Sequence, residues 1–289
     1  YSMGVSRRFR KADSGLLFLF PAFGLFWFRC PALGMMAFCQ NGRNASLMPS
    51  SSSPSKPLHA KPLHEWNLAP AEARAVQSQL AARVEVRDRL PPVHFIGGVD
   101  VGFEANGTIT RAALVVLSYP DLQVVERQLV KIPTTFPYVP GLLSFREVPA
   151  ILQAYSRLQQ KPDLLLCDGQ GIAHPRRFGI ACHLGVWLDV PTIGVAKKRL
   201  VGKHEPVAEA KGAQVPLLDK GEVIGAVLRS RQGVNPLYVS PGHRVSQSTA
   251  VEWVLRCLTR YRLPEPTRQA HKLASLEKQL SAPVASTAD

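Results

Sequence analysis

Three runs of β-type residues follow one another closely and constrain this chain more than any other feature. They are Val93–Val101 (VHFIGGVDV), Arg111–Tyr119 (RAALVVLSY) and Leu122–Ile132 (LQVVERQLVKI), with a turn at Pro120-Asp121 between the last two. Strands so near in sequence pair as an antiparallel meander. The pattern then changes to alternating elements. Val148–Gln159 reads as a helix, Leu164–Cys167 as a short buried strand, Phe178–Leu188 as a helix and Thr192–Val195 as another strand. Glu222–Ser230 and Leu237–Ser240 read as a later strand pair. Ser246–Tyr261 has helical spacing through Val251, Val254, Leu255 and Leu258, and Pro70–Arg83 is an Ala-rich helix opened by proline. The prediction is an α/β fold: a mixed β-sheet, antiparallel meander plus parallel strands, flanked by α-helices. From Arg262 onward, Pro264, Pro266 and a polar tail are expected to end the domain.

The 289 residues carry a net charge of +14, which predicts an anionic partner. That charge is uneven. Residues 1–62 hold eight Lys/Arg against one Asp, leaving 27 against 20 for residues 63–289. The first 62 residues combine basic positions, an apolar run from Gly15 to Phe28 broken by Pro21, and a Ser/Pro-rich stretch at Pro49–Pro54. The basic positions and apolar run resemble the n- and h-regions of a signal peptide, but an upstream extension outside the fold, with Met48 as the start, is the favoured reading. The domain is expected over 63–275 and a polar tail over 276–289. Five widely spaced cysteines without a CxxC exclude a disulfide framework and point to a reducing cytoplasm. No membrane association is expected, and a monomer is.

Chemistry concentrates at strand ends. Leu164–Cys167 runs into Asp168, followed at once by Gly169-Gln170-Gly171 and the basic His174-Pro175-Arg176-Arg177. A carboxylate ending a buried strand beside glycines is a common site geometry, and an Asp-Gly turn is the competing reading. Asp100 lies in the otherwise apolar first strand, where an unpartnered charge is costly, so it binds a metal or forms an ion pair. Glu147 stands at a helix entrance, where Ser144-x-x-Glu147 also has capping-box spacing. Three carboxylates suit a hard cation, Mg²⁺ or Mn²⁺, whereas no Cys/His cluster has zinc spacing. Lys197 and His243 each follow a strand and are candidates to join the site. Phe136-Pro137-Tyr138-Val139-Pro140 is a stiff loop that either wedges its aromatic between bases or packs it on the domain.

Taken together these stretches resemble the endonuclease V family. The resemblance is carried by GVDVGF around Asp100, FPYVPGLLSFRE from Phe136, LCDGQGIAHPRRFGIACHLG from Leu166, PTIGVAKKRL from Pro191, VSPGH from Val239 and PEPTRQAH from Pro264. It implies a ribonuclease H-like fold and a Mg²⁺ site of Asp100, Glu147 and Asp168. Lys197 and His243 would support the scissile phosphate, and Tyr138, between Pro137 and Pro140, would part the strands. Gly141, Leu143, Gly169 and Gly171 would line a pocket for the displaced base. The implied activity is DNA repair: recognition of deoxyinosine and hydrolysis of the second phosphodiester 3′ to it, leaving 3′-hydroxyl and 5′-phosphate ends.

Three other functions compete. The same acids could cut inosine-containing RNA. A structure-specific nuclease of this fold would have no obvious use for the Pro-Tyr-Val-Pro loop. A non-catalytic nucleic-acid binder would have no reason to set carboxylates among phosphates.

Overall fold

The computed structural model describes residues 62–280. Helix α1 (Pro70–Ala81) precedes the meander β1 (Phe95–Glu104), β2 (Ile109–Ser118) and β3 (Val124–Pro133). Then come α2 (Leu143–Arg157), β4 (Leu164–Cys167), α3 (Ile180–Leu188) and β5 (Thr192–Ala196). The strands β6 (Gln214–Asp219), β7 (Glu222–Leu228) and β8 (Leu237–His243) follow, and α4 (Gln247–Arg256) and α5 (Glu265–Leu280) complete the chain.

The strands form one sheet in the order β3-β2-β1-β4-β5-β8-β7-β6. β1, β4 and β5 are mutually parallel, and every other pairing is antiparallel. The expected mixed α/β sheet is therefore what forms. β4 explains its own composition: its four residues are all buried, because alternate side chains enter cores on both faces. Leu165 and Cys167 pack with Val99, Val148, Ile151 and Leu184 under α2 and α3. Leu164 and Leu166 pack with Ile193, Val239, Val251 and Val254 under α4.

Three elements differ from expectation. α2 begins at Leu143, five residues before Val148, so Pro149 lies inside it and forgoes one helical hydrogen bond. The capping box, the competing reading of Ser144 and Glu147, does not form, since Leu142 occupies the N-cap and no side chain caps it. β6 is an edge strand containing Pro216, a residue tolerated there because one side of an edge strand needs no ladder partner. The expected end of the domain after Arg262, and the start of a polar tail at 276, are both overtaken by α5. Its Ala270 is fully buried and packs with Val115 and Leu117 of β2, joined by Leu273. Gly98 of β1 admits this helix, because a Cβ there would stand 1.9 Å from the carbonyl oxygen of Pro266. Except for Pro62, the expected N-terminal extension lies outside the described residues, as does 281–289. Among the described residues no helix is long and apolar enough to cross a membrane, and Cys167, Cys182 and Cys257 are free thiols.

Candidate active site

β1 and β4 run parallel with Val99 opposite Cys167, so the next residue of each, Asp100 and Asp168, emerges at the same end of the sheet. The Asp168 N–H donates to the Val99 carbonyl at 3.0 Å and fixes that exit. β5 ends beside them, and Lys197 Nζ lies 2.5 Å from Asp168 Oδ2. The fourth member comes from α5. His271 Nδ1 is 3.1 Å from Asp100 Oδ2 and 3.5 Å from Lys197 Nζ. One ligand atom from each of Asp100, Asp168 and His271 falls within 4.8 Å of the others.

Glu147, the fifth residue of α2, faces the same acids, though its oxygens are not part of that tight trio. Part of its surface stays accessible, yet desolvation pushes its carboxyl up to about 8, with repulsion from Asp100 and then Asp168 adding and Arg146 opposing. Burial also raises Asp168; the Lys197 ammonium pulls it back and Asp100 raises it further. Carboxylates held short of full ionisation by burial and mutual repulsion are the donors a hard divalent cation stabilises. Asp100, Asp168 and His271, with Glu147 beside them, fit one.

A cavity of about 290 Å³ opens next to the acids, and Glu147 and Asp168 form part of its wall. Tyr138, Pro140, Gly141, Leu143 and Gly169 line it, with Lys198, Arg199 and Leu200 beyond β5. Tyr138 is 69% exposed, so the packed reading of the Pro-stiffened loop does not hold. Pro137 is exposed on the same loop, outside the cavity lining. Gly141 takes φ +77°, a backbone conformation that favours glycine. Its carbonyl accepts from Arg176 Nη2 (2.8 Å), His174 Nε2 (3.0 Å) and Gln77 Nε2 (3.1 Å). Burial, then the Arg176 charge, lowers His174 to about 4, so this network is held by a neutral ring.

Two expected residues lie elsewhere. Gly171 is buried, its N–H donates to Ser240 Oγ at 2.9 Å, and a Cβ on it would stand 1.9 Å from the Pro241 carbonyl. It allows backbone packing and does not line the cavity. His243 is a correction of a different kind. β8 is antiparallel to β5, so His243 pairs with Thr192 at the start of β5 while Tyr238 pairs with Ala196 at its end. It therefore sits at the opposite end of the sheet from Lys197. There its Nδ1 accepts the Glu85 N–H at 3.2 Å, and its Nε2 approaches Asp189 at 3.7 Å. Reasoning that residues following strands converge holds only for parallel strands. His271, which does reach the acids, lies in a polar stretch whose helical signal is faint: Ala270, Leu273 and Ala274 at spacings of three and four.

Residues 78–272 match the Endonuclease V family. The chain belongs to that family. It is 60% identical over 213 residues to the Endonuclease V of a Nostoc strain, covering 73% of this chain and 96% of that relative. The Endonuclease V structure from Streptomyces avermitilis superposes with TM-score 0.71 at 42% identity, covering 75% of this chain and 96% of that one. The human enzyme gives 0.68 at 40% identity, covering 74% and 100%. The Ciona intestinalis protein, solved with a 24mer DNA containing an inosine followed by a ribo-adenosine, gives 0.63 at 29% identity, covering 73% and 98%. As an endonuclease V, the chain is an endonuclease, and the strand-end acids are its possible metal-binding group.

Proposed function

We propose that this endonuclease recognises deoxyinosine in DNA and nicks the same strand beside it. The observation that carries this reading is the continuity of one cavity from exposed Tyr138 to Glu147 and Asp168. Tyr138 enters the base stack, at a cost of a few kcal/mol that is least where the base is mispaired or damaged. The displaced base occupies the cavity, whose volume is at the lower end of the roughly 300 Å³ and upward typical of small-ligand pockets. The adjoining backbone then lies over the acids. Asp100, Asp168 and His271, with Glu147, would hold Mg²⁺, or Mn²⁺ in its place, which would supply positive charge beside the phosphate and acidify water. Lys197 neutralises charge building on the phosphate. The family pattern supports a nick at the second phosphodiester 3′ to the lesion, leaving 3′-hydroxyl and 5′-phosphate. The inosine-containing DNA bound by the Ciona relative supports the substrate. The free buried thiols suit a cytoplasmic setting, and the chain acts there as a monomer.

One observation favours a second substrate. The strand bound by the Ciona relative carries a ribonucleotide directly after inosine, so inosine-containing RNA is the alternative. Matched inosine and undamaged DNA and RNA strands, with and without Mg²⁺, separate the readings. Wild type is expected to cut only inosine strands and only with metal, and Tyr138→Ala to lose that preference while staying folded. Equal cutting of damaged and undamaged strands by wild type would remove the proposal.

A further inference from the structure

Behind one wall of the cavity runs a chain of hydrogen bonds that strand cutting does not use. His64 Nδ1 lies 2.7 Å from the Glu65 carbonyl oxygen, and His64 Nε2 lies 2.8 Å from Nε2 of His183. His183 Nδ1 in turn lies 3.0 Å from the Ser144 hydroxyl. Aromatic rings surround the pair. Trp66 stacks on His183 with centroids 5.3 Å apart, and Trp187 and Phe145 stand 5.0 and 5.3 Å from His64.

Only one placement of hydrogens satisfies all three contacts. A carbonyl oxygen can only accept, so His64 Nδ1 carries a hydrogen. Burial lowers the pKa of both rings, His183 well below its ordinary value, and a neutral imidazole bears a single hydrogen. His64 Nε2 is then a bare lone pair, and His183 Nε2 donates to it. His183 Nδ1 is left to accept, and Ser144 gives it the only hydrogen its hydroxyl has.

Ser144 also lines the cavity. We propose that Ser144 is an obligate acceptor in the base pocket, reading a ring N–H of the displaced base, with His183 and His64 as the positioning residues that fix its polarity. The proposal rests on reading this cavity as the base pocket. Deamination turns the N1 of adenine from a lone pair into an N–H. A serine free to rotate would serve both bases. One committed to His183 meets hypoxanthine as acceptor to donor, and adenine as lone pair to lone pair. Guanine carries the same N1–H, so this contact separates deaminated adenine from adenine and not from guanine.

The test compares kcat/KM on strands carrying hypoxanthine, its 1-deaza analogue with C–H in place of N1–H, and adenine. Wild type is expected to lose about tenfold to a hundredfold on the 1-deaza strand, the range for one unmade buried hydrogen bond. Ser144→Ala should lose a similar factor on hypoxanthine and then be indifferent to the 1-deaza change. His64→Phe removes the acceptor for His183 Nε2, frees the relay, and should lower the hypoxanthine-to-adenine ratio. His64→Gln, whose side-chain oxygen can accept, should restore it. Wild type cutting the 1-deaza strand as fast as hypoxanthine overturns the proposal without requiring any variant to fold. So does Ser144→Ala retaining full sensitivity to N1, which would move the reading to Oε1 of Gln170, a buried cavity-lining acceptor without a partner. Absence of any wild-type preference for hypoxanthine over adenine would instead remove the base-pocket reading beneath it.

Discussion

Nδ1 of His271 lies 3.1 Å from Oδ2 of Asp100, although 171 residues of chain separate them. The contact depends on α5 lying against β1, and that depends on a bare backbone at Gly98. The imidazole also meets the Lys197 ammonium, which in turn reaches Asp168, so the two acids are joined through two nitrogen side chains. Four groups from β1, the end of β4, the end of β5 and α5 make one polar cluster.

Exchanging the two histidines' roles in a mutational comparison follows directly. His271→Ala should lose most cleavage, about tenfold to a hundredfold for a group beside the metal-binding acids, with little change in Tm. His243→Asn should leave cutting nearly intact and lower Tm, because His243 is buried among Glu85, Asp189 and Arg244 at the far end of the sheet. Cleavage rates and melting curves of the two variants decide it; loss of activity in folded His243→Asn with activity retained in His271→Ala would reverse the assignment.

Glu147 makes the metal-free protein pH-sensitive. Its carboxyl is raised from 4.5 to about 8, so between those values the folded chain holds a proton that the unfolded chain releases. Stability therefore falls as pH rises through this window. At about 1.4 kcal/mol per pKa unit the effect is capped at roughly 5 kcal/mol. Glu147→Gln should flatten the slope and raise Tm at pH 8 while abolishing cleavage. Mg²⁺ should stabilise wild type at pH 8 more than the variant. Parallel Tm-against-pH curves for the two metal-free proteins would contradict this.

Gly98→Ala should cost about 1–3 kcal/mol, the usual range for overpacking, since its Cβ would fall 1.9 Å from the Pro266 carbonyl. The larger effect should be on activity, because α5 must shift and carry His271 away from Asp100. Normal cutting by the Gly98→Ala protein would show that the helix has another way to seat.

Removing residues 1–62 should leave cleavage and Tm unchanged. Removing residues 1–67 should not, because His64 and Trp66 pack against Phe145, His183 and Trp187. Loss of a packed tryptophan costs about 3–5 kcal/mol. Melting curves of the two truncations place the boundary.

The sequence made the middle of the sheet legible because burial on both faces leaves an unmixed apolar run, and Leu164–Cys167 is found with the bounds expected of it. Asp100 and Asp168 were legible for the same reason: a charge at the edge of such a run stands out. What stayed hidden depended on direction or on small side chains. The convergence of residues at strand ends cannot be judged without knowing that β8 runs against β5, which is why His243 was misplaced. α5 buries alanines beside charged neighbours, so little apolar area marks it. The Ser144–His183 bond joins residues 39 apart, both with ordinary readings, and no spacing announces it.

The seating of α5 on Gly98 also orders events during synthesis. Asp100, Glu147 and Asp168 leave the ribosome well before His271 of α5. A nascent chain bearing the acids therefore lacks the imidazole that completes their cluster, and so does any product truncated before α5. For a nuclease working among a cell's own nucleic acids, emergence of α5 becomes the condition for acquiring a finished cutting centre.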